Sequence, residues 1–192
     1  GRMVQKSVSR LGIQDRVVVM PGVESTGLIP YLYRPGSSFP KTVGHFNFWP
    51  LVYDPTLPRN GALWDELSQP GELFDAYDPV INPLGVLHGV MEMNHPWAES
   101  KIGRDEGYLA MLGFDPRVAL PMRDDGSAMG MLFAAPGGNS RNIDFDVMEV
   151  MNGSRIIQFL RYRAIWASLL NQGIVRGGTA NSDSHSLAIE NL

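Results

Sequence analysis

The chain has 192 residues, 44% of them apolar and 19% charged, which suits one globular domain with a buried core and excludes disordered and collagen-like classes. A formal net charge of −4, without a Lys/Arg block, gives no reason to expect nucleic acid or a membrane surface as partner. Cysteine is absent, which excludes disulfides, zinc fingers and thiol nucleophiles, so any metal site must be built from histidine and carboxylate.

Along the chain, the opening GRMVQKSVSR lacks the apolar core of a signal peptide, and no stretch approaches the roughly 20 apolar residues that span a bilayer. A soluble chain is expected, cytoplasmic or periplasmic. Val17-Val18-Val19-Met20, closed by Pro21-Gly22, reads as a buried strand ending in a turn, with Glu24 just beyond. Residues 27 to 42 are rich in Pro, Gly and Ser and read as a loop. From Val43 to Leu51, His45, Asn47 and Trp49 alternate with Phe46 and Phe48, a strand with two unlike faces. Trp64 to Tyr77 has helical spacing broken by Pro70-Gly71, which predicts two short helices. Leu87 to Met93 reads as a strand entering Asn94-His95-Pro96. The stretch 97 to 142 reads as a long excursion with one helix near 104 to 112. Phe145 to Met151 reads as a strand ending at Asn152-Gly153, a formal glycosylation triplet with Ser154 of a kind common by chance. A helix follows over 155 to 171, with Ile156, Leu160, Ile165, Leu169 and Leu170 expected inward, capped by Asn171-Gln172-Gly173. Ile174 and Val175 lead through two glycines into TANSDSH, residues 179 to 185.

Strands alternating with helices favour an α/β fold with parallel strands, in which ligands collect at strand carboxyl ends. Candidate site residues occupy such ends, each with a blander alternative. Glu24 reads as a site residue or as a solvated loop acid. His45, on the polar side of its strand, reads as a ligand or a half-buried hydrogen-bonded histidine. His95 precedes Pro96, which favours an extended conformation and fixes its direction. Asp183 and His185 flank Ser184, so in an extended segment both point to one side, as two ligands of one ion must, although Asp-x-His is common. His88, seven residues before His95, reads as structural. Jointly, three of the four histidines and two acids gather at strand ends. A donor set of imidazole and carboxylate suits zinc, manganese or iron.

Six short segments occur in a telling order: Pro21-Gly22-Val23-Glu24, Gly44-His45-Phe46-Asn47, Asn94-His95-Pro96, the strand from Phe145 to Gly153, Trp166 to Gly173, and Asn181-Ser182-Asp183-Ser184-His185. Together they resemble the PHP (polymerase and histidinol phosphatase) superfamily, in particular the CehA/McbA-like metallohydrolase branch of carbaryl hydrolases, over about 20 to 185. The resemblance implies a distorted (β/α)7 barrel with a two- or three-metal centre at the strand carboxyl ends. In that likeness Glu24 bridges two metals, His45 and His95 bind one, Asp183 binds another and His185 serves the cluster. Water activated by the metals is the implied nucleophile, so neither Ser nor Cys is needed. Glu149, Asn152, Asn94 and Asn181 correspond to residues that pack or support the ligands.

The likeness is incomplete, because the family's opening His-x-His has no counterpart before Glu24. It therefore implies one PHP-like domain over 1–192 that is a fragment, a partial barrel lacking its first β/α units and its C-terminal end. Such a barrel would need a partner chain or self-association to cover its edges. Two functions stand side by side: a metal-dependent hydrolase of a small-molecule ester (a phosphoester, or a carbamate or amide-like ester), and a catalytically incomplete binding or interaction module with one weak metal site at His45 and His95. Trp49, Trp64 and Trp97 suggest a third, sugar binding at the strand ends, with core or rim packing as the plainer role. Ala135-Pro136-Gly137-Gly138-Asn139 lacks the Gly-Lys-Ser/Thr of a phosphate loop and reads as a surface loop or a lid.

Overall fold

The computed structural model describes residues 2–26, 44–83, 89–97, 107–111, 114–120, 141–153 and 155–183. Four helices and five strands occur among them: α1 (Arg2–Arg10), β1 (Val23–Ser25), β2 (His45–Trp49), α2 (Pro70–Ile81), β3 (Val90–Asn94), α3 (Tyr108–Met111), β4 (Val147–Asn152), α4 (Ile156–Asn171) and β5 (Gly177–Asn181). The strands form one sheet in the order β1-β2-β3-β4-β5. β2 is antiparallel to β1 and β3, whereas β3, β4 and β5 are parallel. β1, β3, β4 and β5 therefore run one way and β2 alone runs the other.

Local sequence explains the elements. In β2 the period of two buries Phe46 and Phe48 on one face and leaves His45, Asn47 and Trp49 half-buried on the other. Just before it, Gly44 has φ +124°, and a Cβ there would stand 2.9 Å from Tyr108 Cβ, so only glycine fits this close approach. α2 begins with Pro70, whose missing N–H is no loss in a first turn, and Glu72 Oε2 accepts the Gln69 backbone N–H at 2.8 Å. α4 closes where Gly173 turns left-handed at φ +80°.

One face of the sheet supplies Phe46, Phe48, Met91, Met93 and Met148 to a core completed by Leu73, Phe74, Tyr77 and Ile81 of α2 and Ile165 and Leu169 of α4. Phe48 stacks on Tyr77 with ring centroids 3.9 Å apart, and Phe46 meets Phe74 edge-on at 5.5 Å. With Phe46 and Phe48 turned into this core, alternation sends Glu24, His45, Asn47, Glu92 and Asn94 to the opposite face.

The expected partial (β/α)7 barrel is not the fold. A β/α barrel needs every strand parallel and its last strand paired with its first, but β2 is reversed and β1 and β5 are the edges of an open mixed sheet. Strand–helix alternation misleads because it carries no strand direction: α2 lies between β2 and β3 as a crossover helix would, yet the two strands pair antiparallel.

Other expectations also change. Val17 to Met20 forms no strand, and Val18 is 86% exposed. Its β-branched composition favours a strand but finds no partner there, because the ladder with β2 is made by Val23–Ser25, which places Glu24 inside β1. Trp64 to Tyr77 is not two helices; Pro70 starts a single one, leaving Trp64 and Leu67 exposed ahead of it. Of the helix expected near 104 to 112 the described residues include α3, Tyr108–Met111; 101–106 and 112–113 lie outside the described residues, as do 135–139. α4 has the expected extent, and Ile165 and Leu169 are buried as expected with Tyr162 and Ser168 beside them, but Ile156 and Leu160 in its first turns are exposed.

Truncating Phe48 to Ala should cost about 3–5 kcal/mol, whereas Val18→Ala should stay within about 0.5 kcal/mol, both read from urea unfolding followed by circular dichroism. Equal losses at the two positions would contradict the assignment of the core face.

Candidate metal centre

The reversal of β2 builds the site. Its first residue, His45, pairs with Asn94, the last of β3, and lies diagonally across from Glu24 of β1, which pairs with Asn47. His95 follows directly after β3. Side chains from three chain segments thus meet at one end of the sheet. The expectation that every site residue sits at a strand carboxyl end holds for His95, which follows β3, but not for Glu24, the middle residue of β1, or for His45, at the amino end of β2.

Glu24, His45 and His95 each offer a ligand atom, and these atoms all lie within 4.8 Å of one another. His45 Nδ1 is 2.9 Å from Glu24 Oε1, and the two imidazole rings meet edge-on at 5.2 Å. Ligand atoms on one first-row cation, with bonds of about 2.1 Å, are about 3.0–3.4 Å apart, so a small inward movement closes the group on an ion. Asn94 adds an independent sign. Its Nδ2 lies 3.5 Å from Glu24 Oε1, while its Oδ1 is buried without a hydrogen-bond partner, an uncommon state for a buried oxygen and one that an ion or its water relieves. The residues therefore fit a divalent cation.

Asp183 Oδ2 approaches His95 Nε2 at 3.8 Å, which joins it to the rim of the group. The alternation expected for Asp183 and His185 fails at its first member, because Asp183 is left-handed at φ +49° and does not continue a strand. His185 lies outside the described residues, as does His88. Of the tryptophans considered for sugar binding, Trp49 is half-buried on β2, Trp64 is exposed with the Arg59 guanidinium 5.3 Å from its ring, and Trp97 has Arg161 at 5.3 Å.

Around the ligands stands a buried polar layer. Glu149 of β4 accepts hydrogen bonds from the His95 backbone N–H at 2.8 Å and from Asn152 Nδ2 at 3.1 Å, and its Oε2 lies 2.8 Å from His95 Nδ1, which Asn152 Nδ2 also approaches at 2.9 Å. Glu92 was not anticipated from the sequence. It sits in the middle of β3, 2% exposed, and its carboxylate accepts from Asn47 Nδ2 at 3.3 Å, Asn181 Nδ2 at 3.0 Å and the Thr179 hydroxyl. The available signal was an acid between Met91 and Met93, in a strand whose neighbour carries Asn47 on the same face.

Electrostatics prepare the carboxylate. The hydrogen bond from His45 lowers the Glu24 pKa most; burial opposes this, and the charges of His45 and His95 with the Asn94 amide reinforce it, so Glu24 is ionised at neutral pH. For His95, burial pulls the pKa down, but the hydrogen bond and charge of Glu149, helped by Asp183 and Glu24, outweigh it and the net shift is upward. The buried Tyr162 hydroxyl of α4 is pushed up by burial, then by the charges of Glu149 and Asp183.

Comparison with protein-family models, with curated proteins and with solved structures finds no match. The centre is therefore assigned on geometry alone.

Asp65 anchors the strand that carries Glu24. It accepts from Ser25 Oγ at 2.8 Å, from the Thr26 N–H at 3.3 Å and from Arg59 Nη2 at 2.8 Å. Burial raises its pKa, but the bonds from Arg59 and Ser25 outweigh that, and the net shift is downward. A lowered folded-state pKa means that the ionised carboxylate stabilises the fold above its unfolded value of about 3.9, and that this gain is lost as pH falls through the folded value. The stability advantage of wild type over Asp65→Asn should be full at neutral pH and shrink below about pH 4, measured by urea unfolding across the pH range. An advantage that did not change with pH would contradict the ionised anchor.

Proposed function

We propose that this chain carries the divalent-metal centre of a hydrolase that attacks a small-molecule ester with water. The observation that carries the reading is the convergence of Glu24, His45 and His95 from three separate chain segments, with ligand atoms within 4.8 Å of one another. Two imidazoles and a carboxylate suit zinc, manganese or iron better than calcium or magnesium, which prefer all-oxygen sites. The ordered likeness to the PHP superfamily supports the same reading through its ligand set of Glu24, His45, His95, Asp183 and His185, and not through a barrel.

A divalent cation in such a site supplies Lewis acidity, lowering the pKa of a water and offsetting charge that develops on the attacked group. The chain's own residues do the rest. Glu24, held ionised by His45, brings a negative charge to the group. His95 offers Nε2, because its Nδ1 proton is engaged by Glu149. Asp183, 3.8 Å from that Nε2, stands where a carboxylate can accept a proton from an attacking water or share the ion.

A second reading, a binding module with a cation but no turnover, is separated by one set of measurements on the full chain. Bound zinc and manganese are counted after loading, and hydrolysis of p-nitrophenyl phosphate and p-nitrophenyl acetate is followed with each metal; the two probes separate phosphoester from carboxyl-ester chemistry. The proposal expects tight metal binding with turnover of at least one probe. Glu24→Gln and His95→Ala should each lower metal affinity more than about tenfold with the circular dichroism spectrum unchanged. Metal without turnover would leave the binding module, and no metal would overturn both readings.

A further inference from the structure

Among the polar groups around the ligands, Glu149 has the most specific geometry. It lies on β4, one strand beyond β3, with its side chain 1% exposed. One oxygen, Oε2, accepts the backbone N–H of His95 at 2.8 Å and lies 2.8 Å from its Nδ1, which also stands 2.9 Å from Asn152 Nδ2. The other, Oε1, accepts from Asn152 Nδ2 at 3.1 Å. Both oxygens are thus engaged by donors within the fold. The residue so gripped is unusual: His95 has φ +45°, a left-handed conformation that non-glycine residues seldom adopt, and strain of this kind persists only where the surroundings enforce it.

We infer that Glu149 is the positioning residue of the centre, fixing His95 in the Nδ1–H tautomer and in its left-handed backbone, so that Nε2 is the nitrogen presented to a cation. This inference rests on the metal reading above and names the residue that makes the site selective in geometry. A carboxylate is acceptor-only, so the His95 Nδ1 that faces it at 2.8 Å is the donor, and the Asn152 amide, which lies near both groups, donates to Glu149 Oε1 and not to Nδ1. Glutamine would turn an NH2 group toward either the His95 donors or the Asn152 amide, leaving two donors opposed. The same bond makes Nε2 a stronger ligand, since an imidazole whose other nitrogen donates to a carboxylate is more basic and cannot rotate. Among the described residues His45 has no such clamp: its Nδ1 faces Glu24, itself a candidate ligand. The two histidines should therefore respond differently when Glu149 is changed.

The test is long-range proton–nitrogen NMR of the full chain with 15N-labelled histidine, metal-free and at alkaline pH where the rings are neutral, followed by zinc titration. His95 in the wild type should carry its proton on Nδ1. In Glu149→Gln the His95 proton should move toward Nε2, the His45 signals should stay in place, and zinc affinity should fall about 10–100-fold. A wild-type His95 protonated on Nε2 would overturn the inference without recourse to any variant. So would a Glu149→Gln chain that keeps the Nδ1–H tautomer with zinc affinity within about twofold of wild type. A wild type with the Nδ1–H tautomer but no zinc binding would uphold the positioning role and overturn the metal reading instead.

Discussion

The direction of one strand governs the site. Because β2 runs against β1 and β3, its first residue lies beside the last residue of β3 and next to β1's Glu24, and the hydrogen-bond ladder fixes that placement. Were β2 parallel to its neighbours, His45 would stand at the far end of the sheet, about 13 Å away over four residues at about 3.3 Å each. Register matters as much as direction, since a slip of one residue would turn His45 into the core and Phe46 out of it. The burial of Phe46 and Phe48 thus does more than stabilise the fold, because it sets the face and the end at which His45 appears.

The sheet divides the labour between its faces. On one, aromatic and methionine side chains pack under α2 and α4. On the other, acids and amides saturate one another: Glu92 with Asn47, Thr179 and Asn181, and Glu149 with His95 and Asn152. A buried carboxylate costs heavily unless it is hydrogen-bonded, and both are. Among the described residues, the groups that meet Glu92 are two amides and a hydroxyl. Among all these groups, Asn94 Oδ1 is the buried oxygen left without a partner, and it belongs to the residue that touches Glu24.

Some of this was readable in the sequence and some was not, for physical reasons. The alternation of β2 is plain because each residue of HFNFW alternates strictly, and the extent of α4 is marked by its capping glycine. His45 and His95 stand out as two of only four histidines, and the structure brings them together with Glu24. The barrel was misread because hydrophobic period reports secondary structure but not strand polarity. Val17–Met20 misled because β-branched residues favour strands only where a neighbouring strand accepts them. The stripe on α4 holds at Ile165 and Leu169 but not at Ile156 and Leu160, because the packing surface begins only at Tyr162. Asp183 was named and lies near His95, but not by the alternation expected for it, which presumes an extended backbone that its φ of +49° breaks. Glu92 was invisible because a single acid between two methionines has the pattern of an ordinary half-exposed strand; only the register with Asn47 and the nearness of Thr179 reveal that it is buried and saturated.

Anomalous diffraction from crystals grown with zinc or manganese tests the central claim most directly. The account predicts a single strong anomalous peak within bonding distance of Glu24, His45 and His95, about 2.0–2.2 Å from each, with a further peak, if present, toward Asp183. A peak bonded to other side chains, with Glu24 and His45 still hydrogen-bonded only to each other, would contradict it.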